Sequence, residues 1–116
     1  MTDAGLKNLK GLKKLTYLSL KRTKVTDAGL RELIGLKYLS TLDLGNNRIT
    51  DPGTKALKCL ESLSVLYLSR TQVSDVGLKE LKSLKRLAKL DLVETQVTEA
   101  ALKELREALP KCDIEN

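Results

Sequence analysis

The chain reads as an α/β solenoid, a right-handed coil in which parallel strands build one face and helices the other. Two observations predict this. The stretch Leu15-Thr16-Tyr17-Leu18-Ser19-Leu20-Lys21-Arg22-Thr23 returns 24 residues later as Leu39 to Asn47, then as Leu63 to Thr71 and Leu87 to Thr95. The leucines stay fixed in all four copies while the residues between them change. A second segment, Val25-Thr26-Asp27-Ala28-Gly29-Leu30 followed by leucines at 33 and 36, repeats with the same period. A fixed period of this length is the signature of stacked supersecondary units, none of which buries its apolar face alone. The handedness follows from the twist of a strand feeding a crossover to a parallel neighbour.

Taken in order, residues 1–14 form a partial repeat that lacks its strand, since Asp3, Leu6, Leu9 and Leu12 align with Asp27, Leu30, Leu33 and Leu36. Full repeats occupy 15–38, 39–62, 63–86 and 87–110. In each, Leu18 and Leu20 or their equivalents alternate with polar or aromatic residues, the period-two pattern of a strand with one buried face. The chain then turns and enters a helix at Asp27, Asp51, Asp75 or Glu99. A carboxylate there can accept orphan N–H groups and suits the positive helix end, and Pro52 fits the first helical turn. Gly29, Gly53 and Gly77 lie inside that turn, where propensity disfavours them, so close approach of adjacent units is the expected reason. Ala101 replaces them in the last copy, where packing against a following unit should be less demanding. Residues 111–116 begin a fifth strand, with Ile114 in register with Leu90 and with Asp113 and Glu115 discouraging further pairing.

The first strand has no strand before it, which leaves an edge open to another copy of the chain unless the first helix covers it. Repeats lost at this end would explain it, so the chain reads as the C-terminal part of a longer array.

Composition narrows the chemistry. The 116 residues contain no His, no Trp and no Phe, and carry a net charge of +6. Without His the usual general base and the Ser/His and Cys/His nucleophile pairs are missing. Metal binding lacks clustered Cys or carboxylate ligands as well, and no cofactor motif appears, so no cofactor is expected. Cys59 and Cys112 belong to different layers of the repeat, which argues for two thiols rather than a disulfide. Thiols fit a reducing, cytoplasmic compartment. No leader is visible, because Thr2 to Leu6 is already repeat sequence. No apolar run approaches the 18 or so residues of a membrane span.

Leu15-x-x-Leu18-x-Leu20-x-x-Thr23-x-Val25 resembles the conserved segment of leucine-rich repeats, whose ninth position is usually Asn or Cys. The Thr-Asp-Ala-Gly-Leu helix is similar to the ribonuclease-inhibitor-like and GALA-like strand–helix subclass. It looks most like the 24-residue repeat of bacterial proteins. Only Asn47 matches the usual ninth residue; Thr23, Thr71 and Thr95 replace it, with a hydroxyl that can still bond neighbouring backbone.

The resemblance implies a concave face lined by strands, a convex face of helices, and function in whatever the variable positions present. On that face Tyr17, Thr41, Val65 and Lys89 form one row and Ser19, Asp43, Tyr67 and Asp91 the next. Arg22, Asn46, Arg70 and Glu94 run beside them. A protein partner is the expected ligand, with Tyr17, Tyr67, Arg22 and Arg70 as candidate anchors, because Tyr and Arg dominate binding hot spots. The alternative is a structural segment that only extends or caps an array.

A third reading is electrostatic binding of nucleic acid or an anionic surface by convex lysines such as Lys79, Lys82 and Lys85. It lacks the stacking aromatics of a nucleic-acid groove, so nucleic acid is not the expected partner. Asp43 and Asp91, two strands apart, give catalysis its one foothold. An open, shallow face does nothing to raise a carboxyl pKa, so the chain is read as a non-enzyme.

Overall fold

A computed structural model describes residues 2–116. Five short strands pair in chain order as one parallel sheet: β1 (Tyr17–Ser19), β2 (Thr41–Asp43), β3 (Val65–Tyr67), β4 (Lys89–Asp91) and β5 (Asp113–Glu115). The register keeps the 24-residue period, Leu18 beside Leu42, Leu66, Leu90 and finally Ile114. Each strand is followed by a helix, so every crossover returns the chain to the next position in the sheet. The helices are α1 (Asp3–Leu6), α2 (Asp27–Leu30), α3 (Asp51–Leu57), α4 (Asp75–Leu81) and α5 (Glu99–Ala108), and the first two continue as single 3₁₀ turns. Strands stack about 4.8 Å apart whereas packed helices need about 8–10 Å. With one helix per strand, that mismatch bends the stack so that the sheet lies inside.

The core is one aliphatic column between the two faces. Leu42, Leu66 and Leu90 on the strands, Leu44, Leu68 and Leu92 just after them, and Leu30, Leu33, Leu57, Leu81 and Leu102 from the helical side are all buried. Leu15 and Leu18, at the β1 end, are only partly buried. The first helix packs on α2. Among the described residues β1 pairs with β2 alone, and Tyr17 is 61% exposed.

At the helix entries the structure corrects one expectation. Thr26, Thr50, Ser74 and Thr98 occupy the N-cap positions, and the acidic residues begin the helices. The aspartates do accept backbone N–H groups, but those of the next repeat. Asp3 accepts from the Thr26 backbone N–H (2.7 Å) and hydroxyl (2.5 Å). Asp27 does the same for Thr50, Asp51 for Ser74 and Asp75 for Thr98. Asp51 also takes the N–H of Gly77, a third-position donor of the neighbouring helix (3.0 Å). Each carboxylate thus caps the helix one unit on, and an unbroken row of such bonds ties all five units together.

The same rungs explain the glycines. A Cβ on Gly77 would stand 2.5 Å from Asp51 Oδ1, and Gly29 and Gly53 meet Asp3 and Asp27 in the same way. The close approach comes from the preceding unit, so the reason for Ala101 is not a missing following repeat. In that last unit the helix N-terminus is satisfied differently: Ala101 donates to its own N-cap hydroxyl, Thr98 Oγ1 (3.3 Å).

Helix propensity alone would make Gly53→Ala stabilising by up to about 1 kcal/mol. We expect the opposite sign, a loss of about 1–2 kcal/mol, because the methyl displaces a hydrogen-bonded carboxylate. Combined with Asp27→Ala the loss should shrink, and a double-mutant cycle by urea denaturation measures that coupling. Additive single effects would show that the glycine is not held by the carboxylate.

Candidate functional site

The sheet carries the predicted rows where the register demands. Tyr17, Thr41, Val65 and Lys89 are mutual neighbours, and so are Ser19, Asp43, Tyr67 and Asp91. Their leucine neighbours point the other way, into the core, which leaves these side chains on the outer sheet surface. Tyr17 and Ser19 are exposed; Thr41, Asp43, Val65, Tyr67, Lys89 and Asp91 are half-buried by one another. Lys89 lies over the Tyr67 ring with its Nζ 5.7 Å from the centroid, within cation–π range. It also pairs with Glu115 (3.3 Å), and that pairing raises the ammonium pKa above its usual value.

Asp43 and Asp91 have local work. Asp43 Oδ1 accepts from Gly45 N–H (2.9 Å) and Asp91 Oδ1 from Val93 N–H (3.0 Å), each closing the turn out of its own strand. Each aspartate thus serves its own turn, the structural role that the acid–base reading overlooked.

Beyond the strands the chain makes a left-handed turn in every repeat. Arg22, Asn46, Arg70 and Glu94 have φ of 55°, 58°, 55° and 57°, and Lys24 has 64°. The conformation is held because the N–H groups of Arg22, Asn46 and Arg70 donate to Gly45, Ser69 and Val93 carbonyls of the following unit. Asn tolerates this region; Arg and Glu hold it at a cost of about 1 kcal/mol each. Arg22 and Arg70 thereby project from a fixed backbone beside the tyrosine rows. Arg70 is paired with Glu94, Nε to Oε2 at 2.7 Å, both ends exposed.

A groove of about 720 Å³ opens along these turns. Arg22, Lys24, Arg48 and Arg70 line it together with Thr26, Asn46, Asn47 and Gln72, and among the described residues no carboxylate does. The sequence reading singled out Arg22 and Arg70 but not Lys24, Arg48 or Gln72. Aligning the turns at the 24-residue period would have found them, since Lys24 and Arg48 share one column as Arg22 and Asn46 share another.

The last rung of the helix-entry row carries a charge effect. The Thr98 backbone N–H, and then its hydroxyl, hold the Asp75 carboxyl below its ordinary value. A carboxyl depressed in the folded state adds stability above its unfolded pKa and loses it as pH falls through the folded one. The thermal midpoint should therefore drop on acidification below about pH 4. That drop should be shallower in Asp75→Asn, and identical pH profiles would show that the rung is not linked to folding.

These features define a class: a repeat scaffold that holds a rigid sheet and displays variable side chains along it. The chain belongs to the leucine-rich repeat family, whose model, described as leucine rich repeat, matches residues 37–97; a second such model matches 11–33. Among solved structures, internalin C2 of Listeria monocytogenes is similar at 28% identity over 93% of this chain, with a TM-score of 0.74. A leucine-rich repeat protein of Leptospira interrogans is similar at 26% identity over 95%, TM-score 0.66. The chain spans only 44% and 33% of those two proteins. Leiomodin-1 actin-binding site 2, at 16% identity over 97% of this chain and 77% of its own, TM-score 0.75, shares the fold. Comparison with curated proteins gave no match.

Among the described residues no helix is long and apolar enough to cross a membrane, and no group of His, Cys, Asp or Glu is placed to hold a metal. Cys59 and Cys112 are both free thiols, and partial burial raises the Cys112 pKa.

Proposed function

We propose that the chain is a non-catalytic protein-interaction module whose partner docks on the sheet face. The observation that carries this is the division of labour on each strand. Leu42, Leu66 and Leu90 are buried and Leu18 partly so, while the flanking positions vary along the sheet and include the exposed Tyr17. Leucine-rich repeat domains characteristically mediate protein–protein contacts, and solenoids commonly bind along the sheet. Tyr17, Tyr67 and Arg70 are the anchors; Ser19, Arg22, Thr41, Asp43, Val65, Lys89 and Asp91 complete the surface. Three-residue strands make a small platform, so an isolated copy should bind weakly. The test is capture from source lysate by the parent and by the Tyr17→Ala, Tyr67→Ala, Arg70→Ala variant, both shown equally folded. A protein held by the parent and lost by the variant supports the reading. Equal retention of every captured protein would refute the proposed face.

A second reading is favoured by the β1 edge. Its unpaired backbone, the partly buried Leu15 and Leu18 and the 50% exposed Leu12 would all be covered by a preceding unit. On this reading the segment extends a longer array, or β1 pairs with a second copy. Sedimentation across a concentration series separates the two. A chain that remains monomeric refutes self-association.

A further inference from the structure

We propose that the turn groove beside the sheet is a second recognition element, one that binds an acidic, extended segment of a protein partner. The observation is a concavity at which four cations converge with no carboxylate among its lining residues, although some cations elsewhere in the chain pair between repeats. Lys10 meets Glu32 at 2.6 Å, Lys58 meets Glu80 at 3.0 Å, Arg70 meets Glu94 at 2.7 Å, Lys82 meets Glu104 at 3.4 Å and Lys89 meets Glu115 at 3.3 Å. In each case a cation of one unit reaches a carboxylate of the next. The turns of the first two full repeats hold no such pair. Arg22 stands in the register of Arg70, but the position answering Glu94 is Asn46; Lys24 stands where the next unit places another cation, Arg48. Arg22, Lys24 and Arg48 have no carboxylate within ion-pair distance among the described residues, and they line the same groove.

Three like charges gathered in one concavity repel each other, and an anion bound between them relieves that repulsion. Arginine forks favour carboxylate oxygens in particular, because two parallel N–H bonds match their geometry. Asn46 and Gln72 offer carboxamide donors alongside.

The shape selects the occupant. The groove is open and runs across the repeats. Arg22 and Arg70 are two strand spacings apart, about 10 Å, or about three residues of an extended chain. It has no aromatic lining on which nucleobases could stack. Arg22 and Arg70 also border the tyrosine rows, so a partner seated on the sheet would carry its acidic flank into the groove. The inference rests in that respect on the interaction reading above, but its binding step can be tested alone. Glu94 then acts as an internal competitor, occupying Arg70 at one end.

The experiment uses fluorescence anisotropy at low salt with a dye-labelled peptide of six glutamates. The full chain and its variants, shown equally folded by circular dichroism, are the receptors. Asn46→Glu recreates at Arg22 the pairing that Glu94 gives Arg70, in a left-handed position that already accepts Glu at 94. It should weaken the peptide about tenfold, as should Arg22→Ala with Arg48→Ala. Ser83→Glu, an equal charge change on the exposed helical side, should change it less than twofold. Glu94→Asn should tighten it several-fold by freeing Arg70. Tyr17→Ala with Tyr67→Ala should leave peptide binding intact, so the groove and the sheet face succeed or fail separately.

Equal weakening by Asn46→Glu and Ser83→Glu would reduce the effect to net charge and overturn the site. Absence of binding to the parent at millimolar peptide would overturn it as well. Tighter groove binding of a thymidine hexanucleotide or of tripolyphosphate, lost in Asn46→Glu, would overturn the acidic-peptide assignment.

Discussion

Leu66→Ala is expected to lower the unfolding free energy by about 3–4 kcal/mol, within the range for a fully buried leucine whose surroundings cannot collapse. Leu66 is wholly buried on β3, the middle strand, with Leu42 and Leu90, also wholly buried, on either side. Its loss opens space at two inter-repeat boundaries at once. In a stack where each unit touches only its neighbours, stability is a sum of unit and interface terms, so a central defect weakens two interfaces and a terminal one only one. Truncation at the end of the column, Ile114→Ala at the half-buried residue of β5, should therefore cost less than half as much. A domain of this size has about 5–15 kcal/mol in total, so the central variant removes a large share of it. Urea denaturation of both variants measures the difference. Comparable losses from Leu66 and Ile114 would show that the sheet does not act as a column with a centre and ends.

That column was legible in the sequence because it depends on periodicity. Leucines at 18, 42, 66 and 90 repeat at a fixed interval, and the register of every strand followed from it. The two surface rows followed too, because alternate residues of a strand must face opposite sides. What was not legible depends on contacts between residues far apart in the chain. Asp27 is an ordinary helix-entry residue when its own helix is considered alone. Its bonds to Thr50 and its pressure on Gly53 exist only once the next unit is stacked beside it. The groove was missed for a related reason. Counting charges over the whole chain placed the basic excess on the helices, whereas the unpaired cations Arg22, Lys24 and Arg48 become a cluster only when consecutive turns are laid side by side. The roles of Asp43 and Asp91 turned on a detail of two residues, the N–H groups of Gly45 and Val93, which spacing alone does not assign.

The ninth repeat position supplies the second large expected effect, and the chain contains its own controls. Asn47 is 6% exposed and bonds both its own turn and the preceding unit. Its Nδ2 donates to the carbonyls of Leu20 (2.7 Å), Leu44 (3.1 Å) and Gly45 (3.2 Å), and its Oδ1 accepts from the N–H groups of Thr23 (3.1 Å) and Val25 (3.2 Å). Thr23, Thr71 and Thr95, at the same position in the other full repeats, bond only the carbonyl three residues earlier in their own turn. The fold therefore tolerates a turn without the inter-repeat bonds, provided that local one is kept. Asn47→Ala loses both kinds and leaves several buried backbone groups unpaired, each costing about 1 kcal/mol or more. A total loss of about 3 kcal/mol is expected. Asn47→Thr restores the local bond in the form used by its three counterparts but leaves the Thr23 and Val25 N–H groups without their acceptor, and should cost about 2 kcal/mol. Parallel urea titrations of the two variants give the comparison. If Thr proves as damaging as Ala, the inter-repeat bonds of Asn47 carry the stability, and the first two full repeats are held together differently from the rest.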